Sequence, residues 1–137
     1  MPPMNTPDTL PCPCGSGRPL QACCGRYHAG ELAGQAPDAE ALMRSRYSAF
    51  VLDRLDYLLA SWHPDTRPVS IEPNERGLRW LGLDVKRHVR LDETHATVEF
   101  VARSKLGGRA HRLHETSRFE RIDGRWYYRD GDLSSSR

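Results

Sequence analysis

The chain has 137 residues, with 20 Lys and Arg against 18 Asp and Glu for a net charge of +2, a balance that singles out neither a nucleic acid nor an acidic partner. No run of eighteen apolar residues occurs, which excludes a membrane-spanning helix. A hydrophobic content of 38% over this length is enough for one core of ordinary size without covalent staples.

Residues 1–11 are proline-rich and hold no apolar run of the secretory kind. They read as a disordered leader, and the cytoplasm is the expected compartment. All four cysteines follow within thirteen residues: Cys12-x-Cys14, eight residues, then Cys23-Cys24. Two thiolate pairs on either side of a glycine-bearing loop can converge on one tetrahedral ion. Gly15 and Gly17 supply the unusual backbone angles that such a turn needs, and Ser16 is placed to donate to a thiolate. Two disulfides or an iron–sulfur cluster are the rival uses of these thiols. The expected cofactor is one zinc ion per chain, structural because four cysteine ligands leave no position for water. His28 is an alternative ligand. The expected divisions are a knuckle over 12–30, a glycine-marked linker over 31–36, a folded domain over 37–132 and a tail over 133–137. On that division, a Cys14→Ser change loosens the knuckle and leaves the domain's melting little changed.

Pro37 is expected to open a first helix, with Ala39, Leu42, Met43, Tyr47 and Phe50 on its core face. Arg44 and Arg46 then read as solvated arginines rather than phosphate contacts. Asp53 is the expected N-cap of a second helix carrying Leu55, Leu58, Leu59 and Trp62. Asn74 is expected to cap a short third helix running through Trp80 to Gly82.

Beyond Gly82 the period changes from 3.6 to 2. Leu83 to Leu91, Ala96 to Ala102, Leu113 to Phe119 and Trp126 to Asp130 read as four strands, with turns at Gly107-Gly108 and Asp123-Gly124. The expected fold class is α+β: helices packed on a curved four-stranded antiparallel sheet, preceded by the knuckle. A two-residue turn at Asp123-Gly124 sets Phe119 opposite Tyr128 and Ser117 opposite Asp130. A longer turn over 105–108 sets Val98 opposite Glu115.

This register puts Glu115 and Asp130 on the covered face among Trp62, Phe100, Ser117, Phe119 and Tyr128. Two buried acids need a partner or a proton. Either they bond to Arg46, His63 or backbone groups and specify the fold, or one of them acts as a general base with His63 beside it. His88, His95, His111 and His114 read as surface residues. Arg90, Arg103, Arg112, Arg118, Arg125 and Arg129 share the outer face with Tyr127, but Asp84, Glu99 and Glu120 interrupt them, so this reads as a solvated face rather than an RNA platform.

Cys12-Pro-Cys-Gly-Ser-Gly…Cys23-Cys24-Gly25 resembles the SEC-C motif, the zinc knuckle at the tail of the SecA translocation motor, with Cys24 where the SecA-type motif has histidine. Leu42-Met-Arg-Ser-Arg-Tyr-Ser-Ala-Phe50, Trp62-His63-Pro64, Trp80-Leu-Gly-Leu83, Glu115-Thr-Ser-Arg-Phe119 and Gly124-Arg-Trp-Tyr-Tyr128 resemble the bacterial YchJ family. That resemblance implies a cone-shaped domain like nuclear transport factor 2. It also implies, by analogy with the SecA knuckle, docking to a protein-export chaperone or the ribosome. The expected function is a zinc-binding adaptor or small binding protein with no direct nucleic-acid or membrane partner, its sheet being the surface through which a homodimer would form. The alternative is a small-molecule enzyme using Glu115 or Asp130.

Overall fold

The computed structural model describes residues 10–133, so most of the expected leader and the last four residues lie outside it. A 3-10 turn, Leu20–Ala22, and a short helix α1, Gly25–His28, follow the first cysteines. Two helices come next, α2 (Ala39–Val51) and α3 (Leu55–Ala60). Four strands complete the chain: β1 (Arg79–Arg90), β2 (His95–Leu106), β3 (Arg109–Ile122) and β4 (Arg125–Leu133). They form an antiparallel meander in the order β1-β2-β3-β4. The expected α+β class, helices over a four-stranded sheet behind a cysteine cluster, is the observed one. No helix among the described residues is long and apolar enough to cross a membrane.

Several boundaries move. α2 begins at Ala39, two residues after Pro37, and Asp38 caps it: its backbone is extended and its carboxylate accepts from Ala41 N at 2.7 Å. Asp53 caps nothing. It adopts a left-handed φ of +56° in the tight α2–α3 corner, and its carboxylate accepts from Asn74 N at 2.9 Å. The expected third helix is absent among the described residues. Asn74 instead ties this segment back to the end of α2 by donating from Nδ2 to Phe50 O at 2.6 Å, and Trp80 already lies in β1. Trp62 falls beyond α3, where Ser61 to His63 run beside β4: Tyr128 N donates to Ser61 O and His63 N to Tyr128 O. The outward backbone groups of Tyr128 are thereby paired, which covers part of an open sheet edge.

The sheet register shows why alternation alone misplaces charges. Both turns are two residues long. Gly107 and Gly108 have φ of +59° and +79°, and Asp123 and Gly124 have +51° and +83°, the left-handed pair that matches strand twist. The short first turn sets Phe100 opposite Glu115 and Val98 opposite Ser117, two residues from the expected pairing. Phe119 does face Tyr128, but a bulge then makes Arg118, not Ser117, the partner of Asp130. A second bulge between Val85 and Arg87 swaps the faces of the later part of β1. His88 and Arg90 therefore turn to the helix side: His88 Nδ1 lies 3.7 Å from Glu40, and Arg90 sits 5.2 Å from the Trp126 ring centre.

The core lies between α2, α3 and the inner sheet face, and includes Leu42, Leu58, Val98, Phe119 and Trp126. α2 is buried on more than one side, with Ser45, Arg46 and Ser48 as inaccessible as Leu42 or Met43. The knuckle covers the side that the sheet leaves open. Tyr27 enters the main core, and His28 Nε2 bonds to Ser45 O at 2.8 Å with its ring 4.7 Å from Tyr57.

Tyr57 shares a 2.6 Å hydrogen bond with Ser45 Oγ, and burial pushes its phenol up to about 12. The folded protein keeps this proton at a pH where an unfolded chain, with an ordinary phenol near 10, has lost it. The contribution is complete below about pH 10 and disappears as the pH rises through about 12. Denaturation at increasing pH is expected to show stability falling across that window, by at most about 1.4 kcal/mol per pH unit from this group. Tyr57→Phe should flatten the slope.

Candidate metal centre and the adjoining cavity

The cysteine cluster is built by a hairpin and a helix start. Cys12 N donates to Arg18 O, Gly15 N to Cys12 O and Leu20 N to Leu10 O, so Leu10 and Pro11 belong structurally with the knuckle. Gly15 and Gly17 have φ of +84° and +86°, which lets the loop fold back on Cys12 and Cys14. The 3-10 turn at Leu20 then delivers Cys23 and Cys24 to the start of α1.

All four cysteines are reduced and buried, and their sulfurs lie within 4.8 Å of one another. Cys14 and Cys23 are 3.7 Å apart. A tetrahedral ion with metal–sulfur bonds of about 2.3 Å has sulfur–sulfur edges of about 3.8 Å, so the four donors fit a single ion. Without a cation, four sulfurs this close cannot all ionise. Contacts from the Cys14 and Cys24 thiols pull the Cys12 thiol far below its ordinary value, while the Cys12 contact leads in pushing Cys14 and Cys24 up. A central dication removes that conflict by stabilising every thiolate at once.

Hydroxyl groups support the sulfurs from both sides. Ser16 Oγ is 3.1 Å from Cys23 Sγ, as the motif suggested. Ser48 Oγ, on α2, is 3.4 Å from Cys12 Sγ, and Arg44 Nη1 donates to Cys14 O at 3.1 Å. Sequence reasoning missed both helix contributions. The only available signal was two polar residues on a helix otherwise read as apolar on one face. His28 is not among the clustered donors, and its Nε2 bonds to Ser45 O instead.

Gly25 closes the knuckle. A Cβ at this position would sit 2.8 Å from Leu20 O and 3.2 Å from Leu20 C, both backbone atoms that cannot yield cheaply. Gly25→Ala is expected to cost about 1–3 kcal/mol and to speed loss of metal to a chelator, read by thermal melting and a chromogenic chelation assay.

A cavity of about 320 Å³ lies against α2 on the inner sheet face. Arg46, Trp62, Phe100, Ser117, Phe119 and Tyr128 all line it, so the expected set is brought together, with Glu115 among them. The other two candidates are not. Asp130 projects from the outer face, where Arg118 Nε donates to it at 2.6 Å. His63 is buried at the β4 edge, 3.3 Å from Glu120 and 3.2 Å from Arg129. The β3–β4 bulge thus removes Asp130 from the cone, and Glu115 remains there, accepting from Ser117 Oγ and Tyr128 Oη, with Glu72 the other carboxylate of the lining. Arg46 is the other correction: it is 5% exposed, not solvated.

The family model described as "YchJ, middle NTF2-like domain" matches residues 38–131. The chain belongs to the YchJ family. The SEC-C motif model matches residues 9–26, the segment that carries the sulfur cluster. A UPF0225 protein of Bordetella parapertussis is 62% identical over 132 residues, covering 95% of this chain and 99% of that protein. A UPF0225 protein of Cupriavidus pinatubonensis is 54% identical over 138 residues, with 96% and 93% covered. Among solved structures, the chain is similar to a SEC-C motif containing protein from Rhodopseudomonas palustris, with a TM-score of 0.78 at 32% identity, covering 92% of this chain and 100% of that one. A sec-c motif containing protein from Psychrobacter arcticus has a TM-score of 0.76 at 30% identity, with 96% and 86% covered. In this YchJ-family chain the SEC-C cysteines are placed so that they can bind a metal ion, and the cluster is docked on α2 of the NTF2-like domain.

Proposed function

We propose that the chain is a cytoplasmic zinc-binding adaptor whose knuckle docks a protein partner. The observation that carries this reading is the convergence of four buried sulfurs beneath a loop, residues 15–19, that is exposed throughout. Zinc is the ion of choice for four thiolates in a closed tetrahedron, because it has no redox chemistry and no geometric preference to oppose the cage. The ion holds the loop in one shape, and a pre-shaped loop binds with less ordering cost than a flexible one. The SecA-type knuckle, which docks an export chaperone and the ribosome, supports a partner of that kind.

Cosedimentation with ribosomes, and binding to the chaperone SecB, test the reading with the zinc-loaded chain. Binding to one of them is expected, lost on chelation and weakened at least tenfold by Arg18→Glu in the exposed loop. Failure to bind either, with one zinc per chain in place, would overturn the docking role.

A further inference from the structure

Independently of the metal centre, Arg46 asks for a ligand. Its guanidinium is fixed on one side by two hydrogen bonds from Nη1, to Leu58 O at 2.8 Å and Ser61 Oγ at 2.7 Å. Two aromatic faces hold its plane, with Cζ 5.0 Å from the Trp62 ring centre and 4.5 Å from that of Tyr128. Among the described residues it has no carboxylate within ion-pair distance, and Nε and Nη2 make no hydrogen bond. Trp62 presents a second unmet need, since its Nε1–H is buried without an acceptor. Both residues line the same cavity. Glu115 acts on this cation only through space, and a buried cation with no carboxylate in contact, beside a buried donor with no acceptor, is costly to leave as it is. Both border a chamber whose lining is otherwise largely apolar, including Met43, Phe50, Phe100 and Phe119, beside the polar Glu72, Asn74, Glu115 and Ser117.

We propose that this cavity binds a small apolar monocarboxylic acid, with its carboxylate on the free edge of Arg46 and its body in the aromatic chamber. The volume of about 320 Å³ falls at the lower end of small-molecule pockets. Arg46 is preorganised for a planar carboxylate, because its fork is already oriented by Leu58, Ser61 and the two rings. The carboxylates of the lining, Glu115 and Glu72, set the other half of the specificity, because they disfavour a second negative group on the ligand. Glu115 Oε2 is held in place by the Ser117 and Tyr128 hydroxyls. One anionic head is accepted and two are rejected.

Titration of the zinc-loaded chain with phenylacetate and octanoate, followed by the Trp62 indole N–H resonance, tests this directly. At least one of the two acids is expected to shift that resonance saturably. The matching amide and the dianion 1,4-phenylenediacetate should bind at least tenfold more weakly. Arg46→Gln should lose at least tenfold in affinity for the acid. Should that chain fail to fold, Leu113→Trp, which narrows the cavity without touching Arg46, should give the same loss. Equal binding of acid and amide would overturn the role of Arg46, and an unmoved Trp62 resonance with both acids would overturn the site. Ribosome or SecB binding is unaffected by these outcomes, so this proposal and the docking reading fail separately.

Discussion

Cys14→Ser is expected to abolish stoichiometric metal binding and to lower the melting of the whole chain in a single transition. A serine oxygen is a poor replacement for a thiolate, and a tetrahedral site missing one of four ligands loses most of its affinity. The knuckle is too small to hold its shape without the ion: its apolar cluster consists of the four cysteines and Leu20, with Leu83 packed beside them. Its loosening does not stop at residue 30. Cys12 meets Ser48, Cys14 O takes Arg44, His28 takes Ser45 O, and Tyr27 is part of the main core. Once the knuckle frays, one side of α2 is exposed with Ser45 and Ser48 stripped of their cover. A loss of about 3 kcal/mol or more is expected, in the range reached by loss of a metal. Calorimetry with parallel metal analysis checks it. A separate low-temperature transition for residues 10–30, with the rest melting unchanged, would support the independent knuckle that the sequence alone suggests.

Phe119→Ala is expected to be the most damaging change in the NTF2-like domain, at about 3–5 kcal/mol. Phe119 is 2% exposed, faces Tyr128 across the β3–β4 pair with ring centres 5.8 Å apart, and lines the cavity. Truncation joins its vacated volume to an existing void, so the surrounding side chains gain little by collapsing. Urea denaturation should show a lower midpoint with little change in slope, while metal stoichiometry stays at one. A cost below about 1 kcal/mol would mean that the cavity closes over the gap.

The cysteine cluster is legible because its signal is chemical and local: four thiols in thirteen residues, with glycines where the loop reverses. The strands were legible from their alternation, and Asp123-Gly124 from the left-handed angles that its turn requires. What alternation cannot show is a bulge. One extra residue at Arg129 moved Asp130 to the outer face, beside Arg118, and another in β1 brought His88 and Arg90 inward. Each inverts every later position on its strand without changing the sequence pattern. α2 failed for a different reason. A helix covered by a sheet on one side and by a knuckle on another buries serines and an arginine wherever a carbonyl or hydroxyl is within reach, and those partners lie 12 or more positions away in sequence. Arg46, which lines the cavity, therefore reads as solvated from its sequence position.

Metal content of the chain purified under reducing conditions, with reactive thiols counted before and after a chelator is added, tests the central claim most directly. One zinc ion per chain is expected, with all four thiols masked until the chelator removes it. A metal-free chain whose thiols react at once, while the NTF2-like domain stays folded, would contradict it.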